Sequence, residues 1–240
     1  MIARPRVRAV ALAVTALAAP LAASACGSQD GTADSDGADR PVMSVAFFPL
    51  ADVASTIAGD AVEVVNLTPP GVSPHDLELT PQGRADIERA DAVAYLGTGF
   101  QPQIEDVVGG LPDDVVTVDL LGVVDLLPVT EPLAGVQGEV DGEVLEGGLD
   151  PHAWVSPRLF GDMVTELTDV LVELSPDSRA AMEAARDGLL EDLAALDEDF
   201  GAGLTGCQST ALVTSHRAFE YLARDYGLTQ VPIGGITSEE

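Results

Sequence analysis

The feature that most constrains the fold is a regular alternation of short β-rich runs with longer amphipathic stretches after residue 42. Four runs have the apolar composition of buried strands: VMSVAFF, AVEVVNL, AVAYLG and VVTVDL. Three stretches with helical spacing connect them: PLADVASTIAG, PQGRADIERA and PQIEDVVGG. Because such alternation brings successive strands together in parallel, the pattern predicts an α/β fold with a mainly parallel sheet flanked by helices.

A second alternation follows a long helical stretch. Residues 157–174 have helical spacing, and residues 176–200 then keep one apolar face along their length: Met182, Leu189, Leu193, Leu196 and Phe200. Ser175 is expected to cap this second helix, with Pro176 at its first position. At 1.5 Å per residue the helix would be about 37 Å long, which is the span of a domain. We therefore expect it to join two lobes.

The second lobe is expected to be incomplete. A strand (STALVTS), a helix (HRAFEYLARDYG) and a strand (LTQVPIGG) follow the long helix, and roughly thirty residues are too few to bury a core of their own. Residues 128–149 are rich in glycine and acids and have no clear period, which is typical of a mobile surface loop. The predicted segments are a signal peptide (1–25), a flexible acidic tether (26–42), an N-terminal lobe (43–175), a linking helix (176–203) and the start of a C-terminal lobe (204–240).

The N-terminus has the organisation of an export signal. Arg4, Arg6 and Arg8 precede the apolar run AVALAVTALAAPLAA, and small residues then lead to Cys26. A cysteine at this point, followed by an acidic tether, resembles the lipidation site of a bacterial lipoprotein, although Ala23 stands where such sites usually have leucine. The alternative is an ordinary secretory signal that is cut nearby. Either interpretation places the mature chain outside the cytoplasm, and lipidation would anchor it to the outer face of the cytoplasmic membrane.

Cys207 has no partner for an internal disulfide if Cys26 is the lipidated residue. It lies just ahead of a predicted buried strand, so we expect a small, inert core residue. A bond to a group outside this chain is the alternative.

The net charge of the chain, −29, excludes some classes of partner. A nucleic acid or an anionic membrane surface would repel such a protein, whereas a cationic ligand fits the sign of the charge. Acidity that only keeps an exported protein soluble is the simpler alternative.

The only three histidines lie in segments that restrict their position: His75 in GVSPHDLELTP, His152 in LDPHAWVSP and His216 in ALVTSHRAFEYLA. Pro74 fixes the approach to His75, Trp154 follows His152, and His216 stands where a strand is expected to give way to a helix. Neutral imidazole suits zinc and neighbouring transition metals, so we hypothesise one shared metal site. Each histidine taken singly is more often a surface or hydrogen-bonded residue than a ligand.

Two acidic residues adjoin these histidines. Asp76 and Asp150 could orient the neighbouring rings by hydrogen bonding, or they could serve only their own turns. Because ligation requires unprotonated histidine, binding is expected to weaken as pH falls through the mid-range.

The same segments resemble a known family. GVSPHD, DPHAW and TSHRAF, together with VAFFPLADVASTIAG, ADAVAYLGTGF and GGITSEE, are similar in order to the zinc- and manganese-binding solute-binding lipoproteins of bacterial ABC importers. The resemblance runs from about residue 43 to the last residue. It implies a monomer with two lobes joined by one long helix, with the metal held between the lobes by His75, His152 and His216.

The resemblance also implies a preference between metals. Family members have His or Glu at the third position, and His216 favours zinc, with manganese as the alternative. The family's fourth ligand is a carboxylate expected beyond residue 240, and the histidine-rich loop of many zinc-specific members has an acidic counterpart here.

We expect a non-enzymatic protein that delivers a divalent metal ion to an ABC importer permease. Three histidines and a water also form a known catalytic arrangement, so a zinc hydrolase is one alternative. However, no HExxH or HxH element is present to support it. The two remaining alternatives are a surface adhesin and a non-functional truncated product.

Overall fold

The computed structural model describes residues 40–129 and 148–233. The predicted signal peptide, Cys26, nearly all of the tether and most of the 128–149 loop lie outside the described residues. Within the described ranges, no helix is both long enough and apolar enough to span a bilayer.

The first sheet has four parallel strands, as the sequence predicts. They are β1 (Val42–Val45), β2 (Glu63–Asn66), β3 (Ala92–Tyr95) and β4 (Val116–Asp119), in the spatial order β2-β1-β3-β4. Each strand is shorter than its apolar run. In VMSVAFF the strand ends at Val45, because the chain turns at Phe47 into the first helix.

The three predicted connecting helices are confirmed. They are α1 (Phe48–Ala58), α2 (Pro81–Glu88) and α3 (Pro102–Val108), and each has a proline in its first turn. A proline there is favourable because its fixed φ suits a helix and its missing N–H would have had no partner within the helix.

The helix α4 (Pro157–Leu174) lies at the centre of the packing. Ser156 caps it, because its hydroxyl accepts a hydrogen bond from the backbone N–H of Leu159 at 3.4 Å. The apolar face of α4 packs against α1, α5 and β3. Its fully buried apolar residues are Met163, Val164, Leu167 and Leu171.

The long helix α5 (Arg179–Leu204) begins later than predicted. Pro176–Ser178 forms a 3-10 turn, and the hydroxyl of Ser175 contacts the hydroxyl of Ser178 at 3.1 Å instead of capping an α-helix. The prediction of Ser175 as N-cap of this helix was therefore wrong. The predicted apolar face is buried only in part, since Met182 is 1% exposed and Leu196 is 44% exposed.

The second sheet contains two parallel strands in the described residues, β5 (Ala211–Thr214) and β6 (Thr229–Pro232). The helix α6 (Glu220–Asp225) connects them. Two parallel sheets with a long helix between them agree with the predicted α/β architecture. The exact lobe boundaries at residues 175 and 203 stay a prediction.

Three predictions about this region were wrong. The helix expected from His216 begins only at Glu220, because the backbone N–H of Phe219 bonds to the side chain of Gln230 (3.2 Å) instead of to a helical carbonyl. Cys207 is exposed and is not a core residue. The strand after it is not buried either, since Val213 is 63% exposed. In the described part of the chain β5 pairs only with β6, and one neighbour cannot bury both of its faces.

Side-chain hydrogen bonds hold α6 and the residue after it against the rest of the structure. The hydroxyl of Ser156 donates to Asp225 at 2.6 Å. The hydroxyl of Tyr226 donates to Asp197 on α5 at 2.9 Å, and Arg158 forms an ion pair with the same carboxylate at 3.0 Å. The segment that follows His216 is therefore fixed to both α4 and α5.

Candidate metal site

His75 lies in the loop that leaves the carboxyl end of β2. The hydroxyl of Thr68 donates to the carbonyl of Ala46 at 2.7 Å, which holds this loop next to β1. The chain then forms a 3-10 turn, Pro74–Asp76, and the hydroxyl of Ser73 accepts a hydrogen bond from the His75 N–H at 3.3 Å. Proline and serine thus fix the backbone of His75 by local interactions.

His152 is held by the aspartate that precedes it. One carboxylate oxygen of Asp150 accepts hydrogen bonds from both the backbone N–H (2.9 Å) and the ring Nδ1 (2.7 Å) of His152. Both residues are buried, and the Trp154 ring lies 5.1 Å from the His152 ring. Because a carboxylate can only accept, Nδ1 carries the hydrogen and the lone pair of Nε2 points the other way.

His216 comes from the loop between β5 and α6. Gln230, on β6, binds this loop: its amide nitrogen donates to the His216 carbonyl at 3.0 Å and to the hydroxyl of Thr214 at 2.8 Å. Gln230 is buried, so few competing water contacts are available to it.

The structure brings the three predicted histidines together. The Nε2 atoms of His75 and His216 each lie 3.1 Å from Nε2 of His152, and the three ligand atoms lie within 4.8 Å of one another. Zinc bound by imidazole nitrogens at about 2.0–2.1 Å in a tetrahedron would separate them by roughly 3.3 Å. The two contacts with His152 are therefore close to the spacing that a shared zinc ion requires.

The environment of His75 favours the neutral ring. The pKa of His75 is lowered from 6.5 to about 3. Burial is the largest cause, positive charge on His152 and His216 also lowers the pKa, and Asp150 acts in the opposite direction. The Phe100 ring packs edge-on against it, with 4.8 Å between the centroids. At neutral pH the ring is uncharged and its nitrogen can act as a ligand. Protons should therefore compete with a metal ion for His75 only at a pH well below the mid-range pH expected from the sequence.

We expect the metal-free protein to lose stability as pH falls from about 6.5 towards 3. In that window unfolded His75 binds a proton whereas folded His75 does not, so acid favours the unfolded state. Thermal unfolding at pH 7.5 and pH 5 measures the effect. Because other groups also titrate, His75→Gln is the control and should show a smaller decrease in Tm. An equal decrease in both proteins would contradict this prediction.

The two predicted acidic neighbours have different surroundings. Asp150 contacts His152 as described above, whereas Asp76 is exposed and has no hydrogen bond to a histidine ring in the described residues. Asp76 lies at the end of its 3-10 turn, where its backbone N–H donates to the Ser73 carbonyl at 3.1 Å. Asp76 therefore takes part in the 3-10 turn that carries His75.

Sequence reasoning missed three residues that support the histidines: Phe100, Gln230 and Tyr221. Phe100 follows β3 at the sheet edge where ligands bind in α/β proteins, which was an available signal. Gln230 is a polar residue inside a strand. Tyr221 is fully buried, and its hydroxyl contacts the Asp150 carbonyl. Nothing in the local sequence indicates that contact, because 71 positions separate the two residues.

Comparisons with known proteins give a consistent result. The family model for the zinc-uptake complex component A periplasmic protein, ZnuA, matches residues 44–240. The high-affinity zinc uptake system protein ZnuA of Bacillus subtilis is 31% identical over 225 residues, which are 92% of this chain and 69% of that protein. The zinc-binding lipoprotein AdcA of Streptococcus pneumoniae serotype 4 is 32% identical over 198 residues.

The chain spans only part of some relatives, since the match covers 80% of this chain and 38% of the pneumococcal AdcA. One solved structure that matches is the Zn(II)-bound ZnuA-like domain of that protein, with a TM-score of 0.69 and 29% identity. The match covers 84% of this chain and 70% of the solved chain. Because the family model matches most of the sequence, the chain belongs to the ZnuA family of periplasmic zinc-uptake components.

Proposed function

We propose that this protein captures a divalent metal ion outside the cytoplasm, with zinc preferred over manganese, and delivers it to an ABC importer. The observation that carries the proposal is the convergence of the His75, His152 and His216 Nε2 atoms, with 3.1 Å contacts to the central one. Neutral nitrogen ligands favour zinc, whereas manganese prefers oxygen ligands. The names of the relatives, zinc-binding and zinc-uptake proteins, support the same cargo.

The electrostatic field of the protein also favours a cation. A net charge of −29 raises the local concentration of cations around the molecule, and the neutral imidazoles then select among them. The charge of the whole protein thus attracts cations, and the three imidazole rings select among the metal ions.

Binding and delivery fit the site better than catalysis. In the described part of the chain, the cluster of ligand atoms contains three imidazoles and no carboxylate. Asp150 contacts Nδ1 of His152, on the side of the ring away from the Nε2 that faces the other two rings. A zinc hydrolase needs a base that can reach a metal-bound water, and Asp150 is not placed for that role.

We further propose that the mature protein is a monomer anchored by a lipid at Cys26 on the outer face of the cytoplasmic membrane, where it meets the importer permease. The order of charged residues, apolar run and cysteine at the N-terminus supports this location. Several relatives are named lipoproteins.

Metal titration of the chelator-treated protein tests the proposal. We expect one zinc ion per chain and a rise in Tm that increases with zinc concentration, because a ligand that binds only the folded state stabilises it. Manganese should bind more weakly in a competition assay. A protein that takes up no zinc, or that prefers manganese, would contradict the assigned cargo. Growth of a deletion strain under zinc starvation, with and without added zinc, tests delivery.

Asp150→Asn is expected to weaken zinc binding by about 10- to 100-fold, the usual effect of removing the acceptor behind a ligating histidine. The amide oxygen can still accept both hydrogen bonds, but it lacks the negative charge that favours the Nδ1–H form of His152. Competition with a zinc chelator measures the change. Asp76→Asn is the matched control and should bind zinc like the wild type. Equal affinities of the two variants would be the contrary result.

A further inference from the structure

Tyr221 connects α6 to the turn that carries His152. The side chain is fully buried, and its hydroxyl donates a hydrogen bond to the backbone carbonyl of Asp150 at 2.5 Å. The same oxygen accepts a hydrogen bond from the backbone N–H of Leu127 at 2.9 Å. One hydroxyl therefore satisfies two backbone groups that are far apart in sequence.

These two backbone groups belong to neighbouring chain segments. The N–H of Asp150 donates to the carbonyl of Leu127 at 2.8 Å, and Pro128 and Leu149 form an antiparallel bridge beside them. The Tyr221 hydroxyl completes a closed set of hydrogen bonds between Leu127 and Asp150. Asp150 is consequently held through both its N–H and its carbonyl group.

Asp150 is also the residue that orients His152. Its carboxylate contacts the His152 ring at 2.7 Å, and the opposite ring nitrogen faces His75 and His216. A shift of the Asp150 backbone would move this carboxylate and tilt the central imidazole. Metal ligands tolerate such shifts poorly, because affinity depends on bond directions as well as on distances.

We propose that Tyr221 is a positioning residue for the metal site, which acts through the Asp150 backbone on the orientation of His152. The inference rests on the proposed zinc-binding function and extends it to a residue that touches no ligand atom. Because Tyr221 lies on the helix that follows the His216 loop, it also couples the placement of His216 to that of His152.

The hydroxyl is suited to this role. Burial raises the pKa of Tyr221 to about 12, so the group keeps its proton and remains a donor at any physiological pH. The Arg224 guanidinium lies over the ring at 5.3 Å from its centroid, which is a favourable cation–π contact. The ring fills space and the hydroxyl holds Asp150, and a change to phenylalanine separates these two contributions.

The experiment compares Tyr221→Phe with Tyr226→Phe. Both variants lose one hydroxyl near the same helix, but the Tyr226 hydroxyl bonds to Asp197, and among the described residues it makes no hydrogen bond to the Asp150 turn. We expect Tyr221→Phe to weaken zinc binding by about 10-fold and Tyr226→Phe to change it by less than about twofold. Chelator competition gives the affinities. The visible absorption of bound Co²⁺, which reports ligand geometry, should change only in Tyr221→Phe.

A double-mutant comparison adds a second readout. In an Asp150→Asn background, Tyr221→Phe should cost much less affinity than in the wild type, because both residues act through the same ring. If Tyr221→Phe did not fold, difluorotyrosine at position 221 keeps the ring and the hydroxyl, and its two fluorines make the hydroxyl a stronger donor and a weaker acceptor. The same replacement at position 226 is its control.

The outcomes separate the two proposals. A wild-type protein that binds no zinc would overturn the proposed function, and this inference with it. Zinc binding by the wild type with unchanged affinity and Co²⁺ spectrum in Tyr221→Phe would overturn only the role of Tyr221. Equal effects of difluorotyrosine at positions 221 and 226 would also overturn only the role of Tyr221. Additive losses in the double mutant would also overturn it.

Discussion

His152→Ala is expected to weaken zinc binding by about a hundredfold or more. Structural zinc sites bind with roughly 10–16 kcal/mol for four ligands, so the loss of one ligand corresponds to about 2.5–4 kcal/mol. The central position of His152 makes it the most sensitive of the three, since its Nε2 lies 3.1 Å from both partners. Chelator competition at pH 7.5 measures the affinity.

Two further variants control this experiment. His75→Ala removes a ligand from a less buried position and should also weaken binding strongly, which separates ligand loss from damage to the core. Asp76→Ala alters the adjacent exposed residue and should leave zinc affinity unchanged. Retention of wild-type affinity by His152→Ala would exclude a site built around this residue.

Leu167→Ala is expected to lower the free energy of unfolding by about 2–5 kcal/mol. Leu167 is fully buried on α4, the helix that packs against α1, α5 and β3. Truncation removes apolar burial and leaves a cavity that surrounding helices and strands can close only in part. Urea unfolding of the metal-free protein measures the loss without a contribution from bound zinc.

Leu196→Ala is the matched control for the core. This leucine lies on α5 and is 44% exposed, so the same substitution should change the free energy of unfolding by about 0.5 kcal/mol or less. Similar effects of the two substitutions would contradict the assignment of α4 as the central helix.

Much of the fold could be predicted because the relevant signals are local. Strand and helix periodicity identified β1 to β4 and α1 to α3, and prolines near the helix starts marked their boundaries. The helix at residues 157–174 was predicted with its observed bounds, Pro157–Leu174. In each case the apolar face of the segment also packs in the core, so local preference and tertiary structure agree.

One of the errors concerns a local turn, and the others occur where a contact outside the segment decides the local structure. Ser175 has the residue type of a helix cap, but it begins a 3-10 turn, and the α-helix starts at Arg179. The chain after His216 has helical spacing, yet Gln230 binds its backbone and delays the helix to Glu220. Cys207 precedes an apolar run, but that strand has one neighbour in the described residues and the cysteine is exposed.

The sequence by itself determined the residue types of the site and the turns that hold them: three histidines, each next to a proline, an aspartate or a strand end. Only the tertiary structure decided the 3.1 Å contacts between rings that are 77 and 64 positions apart, the lowered pKa of His75 and the contact of Tyr221 with Asp150. The reason is that periodicity and turn chemistry act over a few residues. Distances, burial and charge at a shared site depend instead on how remote elements pack.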